Sequence, residues 1–246
     1  MRVEVSLSPA LYPLRTIKDG HVTVAIDVLR ATTAACAAFQ AGCECIVPLN
    51  TLEALASYRS AGYLLAAERN GSKVDVDMGN GVTLAAEYGN SPTEYLRHDL
   101  RGTRLAYSTT NGTLCILAAA DASLTLVGAF ANLSALVERL CREHRDTVLL
   151  CSGWKGNFCV EDTLVAGAVI ESLMQNDARP TLEGDAAAMA LDLWQMAKAD
   201  VYGFCQTKAS HVERLRGLGA EDDIQFAFHT DTCPVVPVFK DGCLSL

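Results

Sequence analysis

The residues best suited to chemistry in this 246-residue chain sit where apolar runs give way to turns rich in hydroxyls or glycine. The first such turn is Ala25-Ile26-Asp27-Val28-Leu29-Arg30-Ala31-Thr32-Thr33. It delivers an acid near the end of an apolar segment, then an arginine and two hydroxyls at a helix start. Asp27 suits a divalent cation. Arg30 suits a carboxylate, sulfonate or phosphate, which a guanidinium grips through its planar fork. Thr32 or Thr33 can cap the helix and face an anion at its positive end. The bland alternative is a structural Asp27–Arg30 pair with an ordinary threonine cap.

The second turn, Ala106-Tyr107-Ser108-Thr109-Thr110-Asn111-Gly112-Thr113, crowds hydroxyls, an amide and a glycine together. Gly112 lets backbone N–H groups face a ligand, although Asn-Gly is also a common turn signal and Ser/Thr are common caps. The third is Cys151-Ser152-Gly153-Trp154-Lys155-Gly156-Asn157-Phe158-Cys159-Val160-Glu161-Asp162, a Gly-flanked loop with one lysine followed by paired acids. Acids in a first helical turn are favoured by the helix dipole alone. Asp162, however, lies on the stripe of Val165, Val169 and Leu173, the expected core face. A carboxylate aimed there must be paired or bound to a cation. Glu161 is about 100° further round the helix, so the two acids need not share a role. A fourth element, Glu68-Arg69-Asn70-Gly71, places another acid at a strand end, with Gly89-Asn90-Ser91-Pro92 closing the loop that follows.

Short β-rich runs alternating with Ala/Leu-rich helical ones must position these turns. The pattern predicts strands at Val3–Leu7, Val22–Val28, Cys45–Leu49, Tyr63–Ala66, Arg104–Ser108, Leu124–Leu126, Thr147–Cys151 and Val235–Phe239. Helices are expected at Thr33–Ala41, Leu52–Ala61, Thr113–Ala119, Asn132–His144, Asp162–Gln175 and Gly184–Asp200. Such alternation, with the nearly continuous apolar runs Val24–Val28 and Val148–Cys151, predicts an α/β fold: a mostly parallel or mixed sheet with helices on both faces. Ligands of such sheets collect beyond the carboxyl ends of the strands. Residues 70–90 break the rhythm as a long loop, with a short helix expected around Val82–Glu87 and only a turn at Gly79-Asn80-Gly81. From about Arg179 the chain is more helical. It closes on Cys233–Phe239, where Pro234 and Pro237 predict an edge strand or an extended covering segment.

Composition excludes several classes. The formal net charge is −9 and there is no Lys/Arg-rich run, which argues against a nucleic-acid partner. An anion would have to be held by local devices. No apolar run reaches the roughly 18–20 residues a membrane helix needs, and no signal-peptide pattern is visible. The ten cysteines sit mostly in apolar stretches and form no C-x-x-C pair, so they read as buried hydrophobes of a reducing cytoplasm. Neither a P-loop nor a G-x-G-x-x-G pattern is present, and the five histidines show no ligand spacing.

Taken in order, Ile26–Thr33, Glu68–Gly71, Gly89–Pro92, Thr109–Thr113 and Cys151–Asp162 resemble the 2-phosphosulfolactate phosphatase family. The resemblance runs from residue 3 to 175, with a weaker echo at Asp222-Asp223-Ile224 and Val236-Pro237. It implies an α/β fold of the family's own, one phosphatase domain over 1–246, and a homodimer. It also implies Mg2+-dependent release of sulfolactate and phosphate, in coenzyme M or sulfolactate synthesis. Carried onto this sequence, Asp27, Glu68 and Asp162 become catalytic acids, and Asp27, Glu161 and Asp162 Mg2+ ligands. Arg30, Thr32, Thr33, Arg69, Thr110, Asn111, Gly112, Thr113, Ser152, Gly153, Lys155 and Gly156 become binders of the small anionic phosphorylated substrate. One departure is the stretch between Gly71 and Gly89, longer and more acidic (Asp75, Asp77, Glu87) than the family's linker. It leaves open a phosphatase acting on another phosphorylated hydroxy acid, and a non-catalytic binder of small anions.

Overall fold

The structure is a computed structural model that describes residues 1–77, 81–176 and 178–246. In chain order, the first half contains β1 (Arg2–Ser6), β2 (Val22–Ile26), α1 (Ala31–Gln40), β3 (Cys45–Pro48), α2 (Leu52–Ser60), β4 (Leu64–Arg69), β5 (Ser72–Lys73), β6 (Val76–Asp77), β7 (Thr83–Leu84) and α3 (Pro92–Leu96). The middle contains β8 (Arg104–Ser108), α4 (Gly112–Ala118), β9 (Leu124–Gly128), α5 (Leu133–Glu143), β10 (Thr147–Cys151) and α6 (Val160–Gln175). The last part contains β11 (Thr181–Glu183), α7 (Asp185–Ala197), α8 (Val201–Lys208), α9 (Ser210–Gly217), α10 (Glu221–Ala227), β12 (Val238–Lys240) and β13 (Cys243–Ser245).

The main sheet has the order β11-β1-β10-β2-β9-β12-β13-β3-β8-β4-β5. Two parallel blocks, β11-β1-β10-β2-β9 and β3-β8-β4, are joined by the C-terminal hairpin β12–β13. The hairpin is antiparallel within itself and to both neighbours. Three antiparallel steps in succession reverse the second block along the ladder. Yet both blocks bury side chains in one cluster: Ala25, Val127 and Leu150 from the first, and Ile46, Ala66 and Tyr107 from the second, around α1 and α4. The sheet therefore curls around these two helices, and the curl aims the carboxyl ends of both blocks at one place. The sequence of α1 permits this enclosure. Ala31, Ala34, Ala35, Ala37 and Ala38 are all buried, so backbone can approach it from every side. On the other face of the first block, a second cluster includes Val165, Val169 and Leu173 of α6, the stripe expected to face the core. A third packs Leu55 of α2 against Leu65 and Ala106.

Three sequence expectations are corrected. The closing segment is neither an edge strand nor a cover, because β12 lies inside the sheet between β9 and β13. It starts after Pro237, whose carbonyl accepts the Val127 N–H at 3.0 Å, so neither proline removes a ladder donor. In place of a helix near Val82–Glu87, Thr83–Leu84 pairs antiparallel with β6. The long helix expected over Gly184–Asp200 ends at Ala197, and Asp200 caps α8 by accepting the Gly203 N–H at 2.8 Å. The turn expected at 79–81 lies partly outside the described residues. All ten cysteines are free thiols. Among the described residues, no helix is long and apolar enough to cross a membrane.

Candidate active site

The turn after β2 is tied by its own side chains. The Asp27 N–H donates to Thr32 Oγ1 (2.9 Å), and that hydroxyl donates to the Asp27 carbonyl (2.8 Å). Thr33 Oγ1 donates to the Val28 carbonyl (2.8 Å). Both threonines are fully buried, so their hydroxyls hold the turn's shape and do not face a cavity. Asp27 Oδ1 accepts the Ala31 N–H at 3.2 Å. Its Oδ2 lies against the start of α4, where a Cβ on Gly112 would stand 2.7 Å from Oδ2 and 2.1 Å from the Ala31 Cβ. Only glycine fits there. Thr113 continues the inward pattern, donating through Oγ1 to the Thr109 carbonyl.

Asp162 occupies the buried position its helical stripe predicts, 2 % exposed. Its Oδ1 accepts the Val28 N–H (2.9 Å), and its Oδ2 accepts the Ser152 hydroxyl (3.1 Å) and the Gly153 N–H (3.0 Å). One carboxylate thus locks the end of β2 to the end of β10. Burial pushes its pKa well above the usual carboxylate range, and the charges of Asp27 and Glu161 push it further. Burial likewise raises Asp27 to about 6, with Glu68 adding and His211 and the Ala31 N–H opposing. Neighbouring carboxylates that resist ionisation are what a divalent cation relieves.

Glu68, at the end of β4, is also an organiser. It accepts the Thr110 N–H and hydroxyl, both at 3.0 Å, and the Gly71 N–H. Arg30 is committed to an ion pair with Asp223 (2.7 Å, both side chains buried) and donates to the Gly71 carbonyl. The Leu29–Arg30 peptide is cis. Arg69 is used within the sheet, donating to the Glu68 carbonyl (2.6 Å) and to the Ser108 carbonyl and hydroxyl (3.1 and 2.8 Å). Lys155 and Gly156 form an exposed lip, held by the Lys155 N–H on Asn111 Oδ1 at 3.2 Å.

These turns line a tight polar cavity of about 10 Å³, with Asp27, Arg30, Glu68, Thr110, Trp154 and His211 among its lining residues. Asn111 lines it as well, whereas Thr32, Thr33, Arg69, Gly112, Thr113, Gly153, Glu161 and Asp162 do not, and Ser152, Lys155 and Gly156 line a larger pocket of about 580 Å³ that shares Thr110 and Asn111. Two functional candidates escaped sequence reasoning. His211 Nδ1 lies 3.1 Å from Glu161 Oε1, and its ring centre is 4.8 Å from that of Trp154. Arg214 places its guanidinium carbon 4.2 Å from the Trp154 ring centre. Both lie on α9, which follows α6 by more than 30 residues and carries no motif. The available signal was the i, i+3, i+4 spacing of His211, Arg214 and Leu215, which puts two polar groups and a buried leucine on one helix face.

Donor atoms of Cys159, Glu161 and His211 lie within 4.8 Å of one another. A mixed S/O/N set is the kind a borderline cation takes, whereas Mg2+ prefers oxygen. Burial raises the Cys159 thiol, which disfavours the thiolate a metal needs. A hard divalent ion takes carboxylate oxygens, the kind of donor that Asp27 and Glu161 carry.

Residues 6–242 match the family model described as 2-phosphosulpholactate phosphatase. A protein of Gloeothece citriformis, named "Probable 2-phosphosulfolactate phosphatase", is 33% identical over 249 residues, which cover 98% of this chain and 97% of that protein. A protein of the same name from Thermotoga petrophila is 34% identical, covering 92% of each chain. Another from Microcystis aeruginosa is 30% identical, covering 98% and 97%.

Proposed function

The chain belongs to the 2-phosphosulfolactate phosphatase family, and from that membership we propose that it hydrolyses 2-phospho-3-sulfolactate to 3-sulfolactate and phosphate. The observation that carries this reading is the convergence of four strand ends, those of β2, β4, β8 and β10, on one small polar cavity, with Asp27 buried in its wall. Phosphoryl transfer asks mainly for positioning and for neutralisation of the non-bridging oxygens. Asp27 and Glu161 would hold Mg2+, which would supply that neutralisation. Asp162 keeps the β2 and β10 turns in register, and Glu68 does the same for the turn carrying Thr110 and Asn111, which face the substrate. A cytoplasmic location is part of the same proposal, and the ten free cysteines support it.

Phosphate release from a panel of phosphorylated hydroxy acids, with Mg2+ or with chelator, tests this reading. Release is expected from 2-phospho-3-sulfolactate and only with the cation. Preference for another panel member would reassign the substrate. A flat panel under both conditions would overturn the phosphatase reading in favour of a small-anion binder.

A further inference from the structure

Among the described residues, Arg214 on α9 is the arginine with both terminal nitrogens buried and without a hydrogen-bond partner. A buried guanidinium without acceptors has lost its hydration with no compensation, so such a group should meet an anion in the working molecule. Its surroundings fix its position without satisfying it. The guanidinium stacks on Trp154. A Cβ on Gly71 would stand 3.1 and 3.2 Å from Nη1 and Nη2, so glycine at 71 leaves the fork its room. The other cations nearby are engaged. Arg30 is held by Asp223 and the Gly71 carbonyl, and Arg69 by Ser108. The Lys155 ammonium lies 5.2 Å from the centre of the Trp154 ring.

Arg214 also stands apart from the reacting end: His211, one turn earlier on α9, lines the cavity at Asp27, and Arg214 is not among its lining residues. We infer that Arg214, stacked on Trp154 above Gly71, binds the sulfonate of the substrate, an inference that rests on the phosphatase reading above. Phosphoryl and carboxylate oxygens are good ligands for a hard divalent cation. A sulfonate, the conjugate base of a strong acid, is a poor one and depends on N–H donors. A planar, weakly hydrated guanidinium is the side chain suited to a buried oxyanion of that kind.

Kinetics of Arg214→Gln on 2-phospho-3-sulfolactate and on 2-phospholactate, which carries hydrogen in place of the sulfonate, read this directly. The ratio of kcat/KM for the two esters should fall by about 10- to 100-fold, chiefly through KM, as charge-assisted hydrogen bonds are lost. Arg214→Lys keeps the charge without the fork and should fall in between; it replaces the Gln variant if a thermal melt shows that the latter is unfolded. An unchanged ratio in the folded variant overturns the inference. Calorimetric affinity for 3-sulfolactate relative to lactate needs no turnover and should fall in the same proportion. Equal relative affinities in wild type and variant would likewise overturn it. If wild type binds sulfolactate through Arg214 but hydrolyses neither ester, the phosphatase reading fails while the anion site stands.

Discussion

Asp27 and Asp162 are neighbouring buried carboxylates with different tasks, and the difference lies in what their oxygens already hold. Both oxygens of Asp162 are taken by donors from the β2 and β10 turns. Asp162→Asn would set an amide N–H against one of those donors. It should cost about 1–3 kcal/mol, read as a lower denaturant midpoint, with activity reduced through displaced turns. Asp27 has one backbone donor and a second oxygen against the start of α4. Burial already disfavours its charge, so Asp27→Asn should melt at or above the wild-type temperature while phosphate release disappears. Wild-type-like turnover in that variant would refute its assignment as a cation ligand.

The elements meet at buried polar joints, and the ion pair Arg30–Asp223 is the one that ties the start of α1 to α10. Asp223 also accepts the hydroxyls of Ser91 (2.7 Å) and Thr93 (2.6 Å), so it anchors α3 as well. Side chains 7% and 6% exposed leave little solvent to screen a broken pair. Asp223→Ala should therefore cost about 3–5 kcal/mol in urea unfolding, because it strands a buried guanidinium. Replacing both partners, as in Arg30→Met with Asp223→Leu, should recover most of that stability. A single-variant loss below about 1 kcal/mol would show that water or another acceptor reaches Arg30.

At the scale of the molecule, the site exists because the sheet curls. The strand ends that carry Asp27, Glu68 and Ser152 belong to blocks of opposite sense, joined only through the C-terminal hairpin. A cation held by Asp27 and Glu161 would bind the folded chain and not the unfolded one, and should stabilise it for that reason. By mass action, Mg2+ at 100 times its dissociation constant would add about 2.7 kcal/mol. The melting temperature should rise with Mg2+, fall back with chelator, and respond weakly in Asp27→Asn. Identical Mg2+ responses in wild type and variant would sink the placement of the ion at Asp27.

Much of the site was legible in the sequence wherever one strand, its turn and the following helix act together. The periodicity of α6 put Asp162 on the core face, and a carboxylate so placed had to find partners. The Asn-Gly at the start of α4 suggested close approach of an anion, and what the structure shows at Gly112 is close packing on Ala31 and Asp27. What local pattern could not supply was the direction of side chains that satisfy one another across the fold. Thr32, Thr33 and Arg69 have the chemistry of anion binders, but their donors are used by nearby backbone and hydroxyl acceptors. His211 and Arg214 carry no motif, and both meet Trp154 only because α9 packs beside its loop, which brings His211 to the cavity wall. The sequence by itself determined the α/β alternation and the turns able to hold oxyanions, since these follow from propensity and spacing over a few residues. The tertiary structure alone decided which groups remain uncommitted, because hydrogen-bond satisfaction is a property of residues far apart in the chain.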